Sequence, residues 1–138
     1  MNFFQAISSV FSKYFRSSGR AGRSEYWYFT LFVFIMGFFL TFMDAEIRNV
    51  PWTVFMNSDA IGISGIFLLA TLIPSITVCA RRLHDIGRSG WWVLIAFAAF
   101  IGSWILLIYW MCKAGDKDTN RFGPVPLTSD RKNTITNT

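Results

Sequence analysis

Three long runs of this sequence contain no charged residue, and they constrain the fold more than any other feature. They cover residues 26–43, 60–80 and 91–112. A helix rises about 1.5 Å per residue, so even the shortest run reaches about 27 Å, just enough to cross the hydrocarbon core of a bilayer. Only 15% of the 138 residues are charged, against roughly 25% in soluble domains. The sequence therefore predicts an all-α polytopic membrane protein with three transmembrane helices.

An amphipathic segment precedes the three runs, and a polar segment follows them. Between Phe3 and Phe15, apolar residues recur at helical spacing while polar and basic residues take the other faces. We expect an N-terminal interfacial helix lying in the headgroup region, with packing on the protein's own helices as the open alternative. Residues 1–126 are expected to form a single membrane domain, and residues 127–138 a disordered polar tail.

The arginine segment, residues 81–92, lies between the second and third runs and holds the only histidine. Its arginines could donate charge-assisted hydrogen bonds to a phosphate group, beside a pair of tryptophans at the membrane surface. The simpler interpretation is a topology signal with an interface anchor. The candidate site for an anionic lipid headgroup or an acidic partner consists of Arg81, Arg82, His84, Asp85, Arg88, Trp91 and Trp92.

Glu25 immediately precedes the first run, close behind a basic turn, and is predicted to lie on the same side of the membrane as the arginine segment. A structural ion pair between Glu25 and Arg81 or Arg82 would clamp the first two helices together. Of these two pairs, we expect the one between Glu25 and Arg82.

The neighbours His84 and Asp85 suggest acid–base chemistry, but adjacent residues on a helix point about 100° apart and form no orienting dyad by themselves. Cys79 and Cys112 lie near ends of different runs and have no metal-ligand spacing. The sequence also lacks a phosphate-binding loop and an HExxH motif. We therefore expect no enzyme, no catalytic residue, no metal and no cofactor.

Three function classes remain in order of preference. The first is a non-enzymatic integral membrane protein whose basic cytoplasmic face binds membrane lipids or an acidic partner, which could be another membrane protein or a second copy. The second is a small oligomeric channel or transport-accessory subunit lined by Ser64, Thr71 and Ser75, although the runs lack the ionisable groups usual in transporters. The third is a membrane enzyme using His84 and Asp85. Orientation in a membrane explains the net charge of +5 better than nucleic acid does.

The distribution of basic residues predicts the orientation. Four precede the first run and one precedes the second, which places the N-terminus and the arginine segment in the cytoplasm. Three crossings would leave seven basic residues inside and six outside, whereas a re-entrant third run would leave twelve inside and one outside. We predict three crossings, with the re-entrant form as the alternative. Cys79 and Cys112 would lie on opposite sides only with three crossings.

Three separated motifs give the chain a family resemblance. They are GRAGRSEYW at residues 19–27, RRLHDIGRSGWW at residues 81–92, and NRFGP at residues 120–124. In the order and spacing of these motifs, over about residues 14–126, the chain resembles the bacterial family catalogued as domain of unknown function 805. The resemblance implies a small protein of the bacterial inner (cytoplasmic) membrane. It implies no activity, cofactor or substrate.

Overall fold

The computed structural model of the protein describes residues 1–49, 61–94 and 101–126. The predicted disordered tail, residues 127–138, lies outside the described residues. The regular elements of the described part are helical, as predicted. They are α1 (Phe3–Ser12), α2 (Arg23–Arg48), α3 (Ile63–Asp85) and α4 (Ile101–Cys112).

Helix α2 contains the first predicted span, residues 26–43, and α3 contains residues 63–80 of the second, which was predicted from residue 60. Within the described residues, these are the two helices long and apolar enough to cross a membrane. Both point large apolar side chains outward: Phe34 is 72% exposed, Phe38 69% and Ile66 63%. Apolar surface of this extent belongs in lipid rather than water. The second helix also continues to Arg48, beyond the predicted end of its span, because Asp44 has a structural role there.

Asp44 ties α2 to the beginning of α3. Its carboxylate is buried and accepts hydrogen bonds from the backbone N–H groups of Ile63 (2.9 Å) and Ser64 (2.8 Å) and from the Ser64 hydroxyl (2.6 Å). The N-cap of α3 is Gly62, which provides no side-chain cap. Asp44 therefore satisfies the first N–H groups of α3 from the neighbouring helix and places a negative charge at the positive end of its dipole.

Helix α1 packs against α2 and α3, so the alternative in which it covers the protein's own helices is confirmed. Val10 is fully buried, and the Phe11 ring lies 5.7 Å from that of Phe29 and 6.2 Å from that of Phe32, both edge-on. Edge-on aromatic pairs at this distance are favourable. The amphipathic stripe predicted from the sequence is therefore, at least in part, a packing surface.

The segment after α1 forms hydrogen bonds with α3 close to the proline inside that helix. Pro74 has no N–H group, so the carbonyl of Ala70 loses its intrahelical donor. The hydroxyl of Tyr14 donates to this carbonyl, and the hydroxyl of Thr77 donates to the carbonyl of Tyr14 at 3.3 Å. Tyr14 thus satisfies an acceptor that would otherwise face hydrocarbon unpaired.

The third predicted span, residues 91–112, lies partly outside the described residues, which exclude 95–100, but contacts between its two ends are described. The rings of Trp92 and Trp110 are only 5.3 Å apart, whereas a straight helix would separate these residues by about 27 Å. The Arg82 guanidinium donates to the carbonyls of Met111 and Lys113. Both ends of the third run therefore lie together beside the end of α3, as in the re-entrant alternative.

Candidate functional site

The three sequence motifs meet at one end of the helices, although up to 100 residues separate them in the chain. The N–H group of Ala21 donates to the Arg81 carbonyl (3.0 Å), and that of Asp116 donates to the Asp85 carbonyl (2.8 Å). Backbone pairing of this kind fixes the loop before α2 and the segment after α4 against the end of α3. We call the charged side chains enclosed there the ion-pair cluster; it consists of Arg20, Glu25, Arg81, Arg82 and Asp85.

Asp85 is the shared acceptor of this cluster. Its Oδ1 accepts from Nε of Arg20 at 2.9 Å, and its Oδ2 accepts from Nη1 of Arg82. The three side chains are almost inaccessible, at 1% for Arg20, 0% for Arg82 and 6% for Asp85. Arg20 also donates to the Asp118 carbonyl at 2.7 Å. Buried charges need such full pairing, because the desolvation cost of each ion is several kcal/mol.

Glu25 pairs with Arg81, not with Arg82, so the expected Glu25–Arg82 ion pair is wrong. Nη1 of Arg81 donates to Oε1 of Glu25 at 2.8 Å, and the Ser9 hydroxyl on α1 donates to the same oxygen at 3.0 Å. Neighbouring residues on α3 point about 100° apart. Arg81 therefore faces α2, while Arg82 faces Met111 and the segment that follows it.

Both ring nitrogens of His84 contact backbone groups, so this residue does not form a catalytic dyad with Asp85. Its Nδ1 lies 3.1 Å from the Gly19 carbonyl, and its Nε2 accepts from the N–H group of Gly90 at 3.2 Å. A neutral ring with its proton on Nδ1 satisfies both contacts. The ring stacks on that of Phe122, with centroids 4.0 Å apart and an angle of 4°. His84 thus positions three loops of the backbone.

A tight turn at residues 120–123 brings Phe122 to His84. The backbone groups of Asn120 and Gly123 pair in both directions, and Gly123 has a φ of +127°, a conformation that favours glycine. The fit is close: a Cβ on Gly115 would lie 2.6 Å from Cγ of Asp85. Residues 113–124, which comprise the third motif and the segment between it and α4, therefore cover the ion-pair cluster; we call them the lid.

The remaining predicted binding residues lie at the surface around this lid. Arg88 is exposed, and its guanidinium carbon lies 5.1 Å from the centroid of the Trp110 ring, within cation–π distance. Trp91 is 73% exposed. Trp92 is partly buried. Arg88 and Trp91 are thus accessible to a ligand, whereas Arg81, Arg82 and Asp85 are enclosed.

Basic side chains concentrate at this end of the helices. Ten of the described lysines and arginines lie here with four acids, whereas the far end has Asp44, Glu46 and Arg48. Within the described residues, no group of three or more His, Cys, Asp or Glu side chains could hold a metal ion. The arrangement can attract anions over a broad surface. Its exposed basic residues are Arg16, Arg23, Arg88, Lys113, Lys117 and Arg121, and the Lys13 side chain is 37% exposed.

Several residues that organise this end carry only a weak signal in the sequence. The local pattern around Arg20 favours a flexible turn, but this residue is 7% exposed and contacts both α3 and the lid. Its position between two glycines inside a family motif was the available signal. Asp116 and Asn120 contact the backbone of Asp85 and His84, and for Asp116 no sequence signal pointed to this contact.

Comparison with known proteins finds one family and several relatives that match most of this chain. The family described as protein of unknown function (DUF805) matches residues 14–124, which include all three motifs. Inner membrane protein YhaI of Escherichia coli (strain K12) is 40% identical over 118 residues, covering 86% of this chain and 92% of the relative. Inner membrane protein YhaH of the same strain is 38% identical over 118 residues, covering 85% and 92%.

No solved structure matches this chain. The names of these two relatives state a location and no activity. The two helices long and apolar enough to span a bilayer agree with that location, and the chain is a protein of the bacterial inner membrane. The match over residues 14–124 and the two relatives show that the chain belongs to the DUF805 family.

Proposed function

We propose that this protein is a non-enzymatic inner-membrane protein with two full crossings, whose basic cytoplasmic end binds the headgroups of anionic phospholipids. The observation that carries the proposal is the charge asymmetry between the two ends. Ten basic residues lie at the end that holds the ion-pair cluster, three of them within it, and Arg48 is the basic residue described at the far end. Cytoplasmic segments of membrane proteins carry such an excess.

The contacts of the lid support this topology. Arg20, which precedes the first span, donates to the carbonyls of Asp116 and Asp118, which follow the third run. Segments in direct contact lie on the same side of the membrane. Residues 91–112 would then enter and leave the bilayer at the cytoplasmic face, and both flanking segments would be cytoplasmic.

The exposed basic residues, rather than the buried ones, would bind the headgroups. Arg81 and Arg82 are at most 1% exposed, and they form ion pairs with Glu25 and Asp85, respectively. Arg88 is exposed over the Trp110 ring. A basic residue near an anionic membrane surface contributes about 1 kcal/mol, or roughly a fivefold change in association.

The test is lipid selectivity in reconstituted vesicles. Spin-labelled phosphatidylglycerol and phosphatidylcholine report the fraction of each lipid held at the protein surface. We expect a severalfold preference for phosphatidylglycerol at low salt that falls in 1 M salt, where the screening length is only about 3 Å. Replacing the four exposed arginines by glutamine should remove most of this preference, and replacing the same four by lysine should retain it. The four are Arg16, Arg23, Arg88 and Arg121.

Equal association of the two lipids with the unmodified protein at low salt would contradict lipid binding and leave an acidic partner as the better explanation of the basic surface. The channel hypothesis gains no support from the described contacts. The Ser64 hydroxyl donates to Asp44, and those of Thr71 and Ser75 donate to carbonyls four residues earlier in α3. These hydroxyl groups are used within the helix pair.

A further inference from the structure

A long apolar groove runs between α2 and α3. It has a volume of about 560 Å³ and extends along α2 from Tyr26 to Thr41, which corresponds to about 22 Å of helix. This exceeds one leaflet of the hydrocarbon core, about 15 Å. Gly37 lies on its floor, where a Cβ added to the glycine would meet Leu68 at 3.9 Å. The groove is therefore long enough to hold one acyl chain that lies parallel to the surrounding lipid tails.

The walls of the groove offer few groups to a polar ligand. The hydroxyls of Thr30, Thr41 and Ser75 each donate to the carbonyl four residues earlier, at 2.7–2.9 Å. The other lining side chains are mainly aromatic and aliphatic. A hydrocarbon chain fits such a surface, because these three hydroxyl groups already have acceptors within their own helices.

The cytoplasmic end of the groove leads to a positive charge. Val93 and Leu107 line this end, and Trp110 lies one helical turn beyond Leu107. The exposed Arg88 guanidinium lies over the Trp110 ring. Within the described part of the chain, no carboxylate lies within ion-pair distance of Arg88. An anionic group at the end of a chain in the groove would find a cation there.

We infer that the groove between α2 and α3 holds one acyl chain of an anionic phospholipid, with its phosphate at Arg88. This inference rests on the proposed function and makes it specific, since it assigns one lipid to one site. A volume of about 560 Å³ is typical of a pocket for one small ligand, and Arg88 near the end of the groove favours an anionic occupant over an apolar transmembrane helix.

The test uses native mass spectrometry to count the lipid molecules that remain bound to the full-length protein. The protein is purified in a mild non-ionic detergent. The probes are equal amounts of palmitoyl-oleoyl phosphatidylglycerol and palmitoyl-oleoyl phosphatidylcholine. We expect one tightly retained phosphatidylglycerol. Dihexanoyl phosphatidylglycerol, which has the same headgroup and short chains, should be retained at least tenfold less. This comparison uses the unmodified protein and does not depend on the folding of a variant.

Two variants fill the groove, and one matched control does not. Thr30→Trp and Gly37→Leu should each lower lipid retention at least fivefold, because both side chains lie along the groove. Ile66→Trp, at an exposed position of α3 outside the groove, should leave retention unchanged. Arg88→Gln should reduce the preference for phosphatidylglycerol about fivefold, and Arg88→Lys should preserve it.

Three results would overturn the inference. One is equal retention of short-chain and long-chain phosphatidylglycerol. Another is wild-type retention by folded, monodisperse Thr30→Trp and Gly37→Leu proteins. The third is a change of oligomeric mass without a change of lipid count in those variants, which would make a second copy the occupant. None of them would affect the selectivity of the basic surface in vesicles, so the two proposals fail separately.

Discussion

Removing the carboxylate of Asp85 should destabilise the protein more than any other single charge change at the end of the helices that holds the ion-pair cluster. Asp85 accepts from Arg20 at 2.9 Å and from Arg82, and all three side chains are at most 6% exposed. Two charge-assisted hydrogen bonds contribute about 1.5–3 kcal/mol each, and breaking a buried ion pair costs about 3–5 kcal/mol. Both arginines keep carbonyl acceptors. We therefore expect Asp85→Asn to lower the free energy of unfolding by about 3 kcal/mol.

Cys79 is a suitable reporter for this measurement, because it is only 8% exposed and lies in the core near Asp85. In a Cys112→Ser background, a thiol-reactive fluorogenic dye would follow exposure of Cys79 as the fraction of denaturing detergent increases. The control is Asp118→Asn, the same change at an exposed side chain at the same end, for which we expect an effect within about 0.5 kcal/mol. Equal stabilities of the two variants would refute the assignment of Asp85 as the shared buried acceptor.

Three further substitutions test individual contacts by the same unfolding assay. Tyr14→Phe should cost about 1 kcal/mol, because the Ala70 carbonyl beside the proline loses its donor. Gly115→Ala should destabilise strongly, by about 2 kcal/mol or more, because the added Cβ would lie 2.6 Å from Cγ of Asp85. Asp44→Ala should cost about 1–2 kcal/mol, because the first N–H groups of α3 lose their acceptor.

Each of these substitutions has a matched control. Tyr28→Phe removes an exposed hydroxyl, Gly22→Ala adds a Cβ whose nearest contact is 3.9 Å away, and Glu46→Ala removes an exposed carboxylate two residues after Asp44. We expect all three to change the free energy of unfolding by less than about 0.5 kcal/mol. A test substitution that behaved like its control would show that the contact assigned to it contributes nothing.

The first two spans were predictable because the relevant signal is local. A charge-free run of 18–21 residues is most stable in the interior of a bilayer. Helix α2 contains the whole first run, and α3 contains residues 63–80 of the second. The third run is equally apolar, but hydropathy indicates only that a segment prefers an apolar environment. It does not indicate whether the segment crosses the bilayer or returns to the same side. The contacts of Trp92 with Trp110 and of Arg82 with Met111, which bring the two ends of this run together, depend on tertiary packing.

The charged site was predictable in its location but not in its pairing. The sequence placed Glu25 and the arginine segment on one side, and the structure brings them together. Which arginine faces which carboxylate depends on the rotation of α3 about its own axis and on the contacts that α3 makes with the lid. Asp44 and Arg20 were missed for a related reason: their partners lie 19 to 98 residues away along the chain, beyond the reach of any local pattern.

The most direct test of the proposed architecture is the side of the membrane on which the lid lies. In a cysteine-free background, Lys117→Cys on the exposed lid and Glu46→Cys at the far end of α2 would each be exposed to a membrane-impermeant maleimide. We predict that Lys117→Cys is labelled in inverted vesicles and protected in intact spheroplasts, and that Glu46→Cys shows the reverse. Labelling of Lys117→Cys from the periplasm would contradict the two-crossing topology.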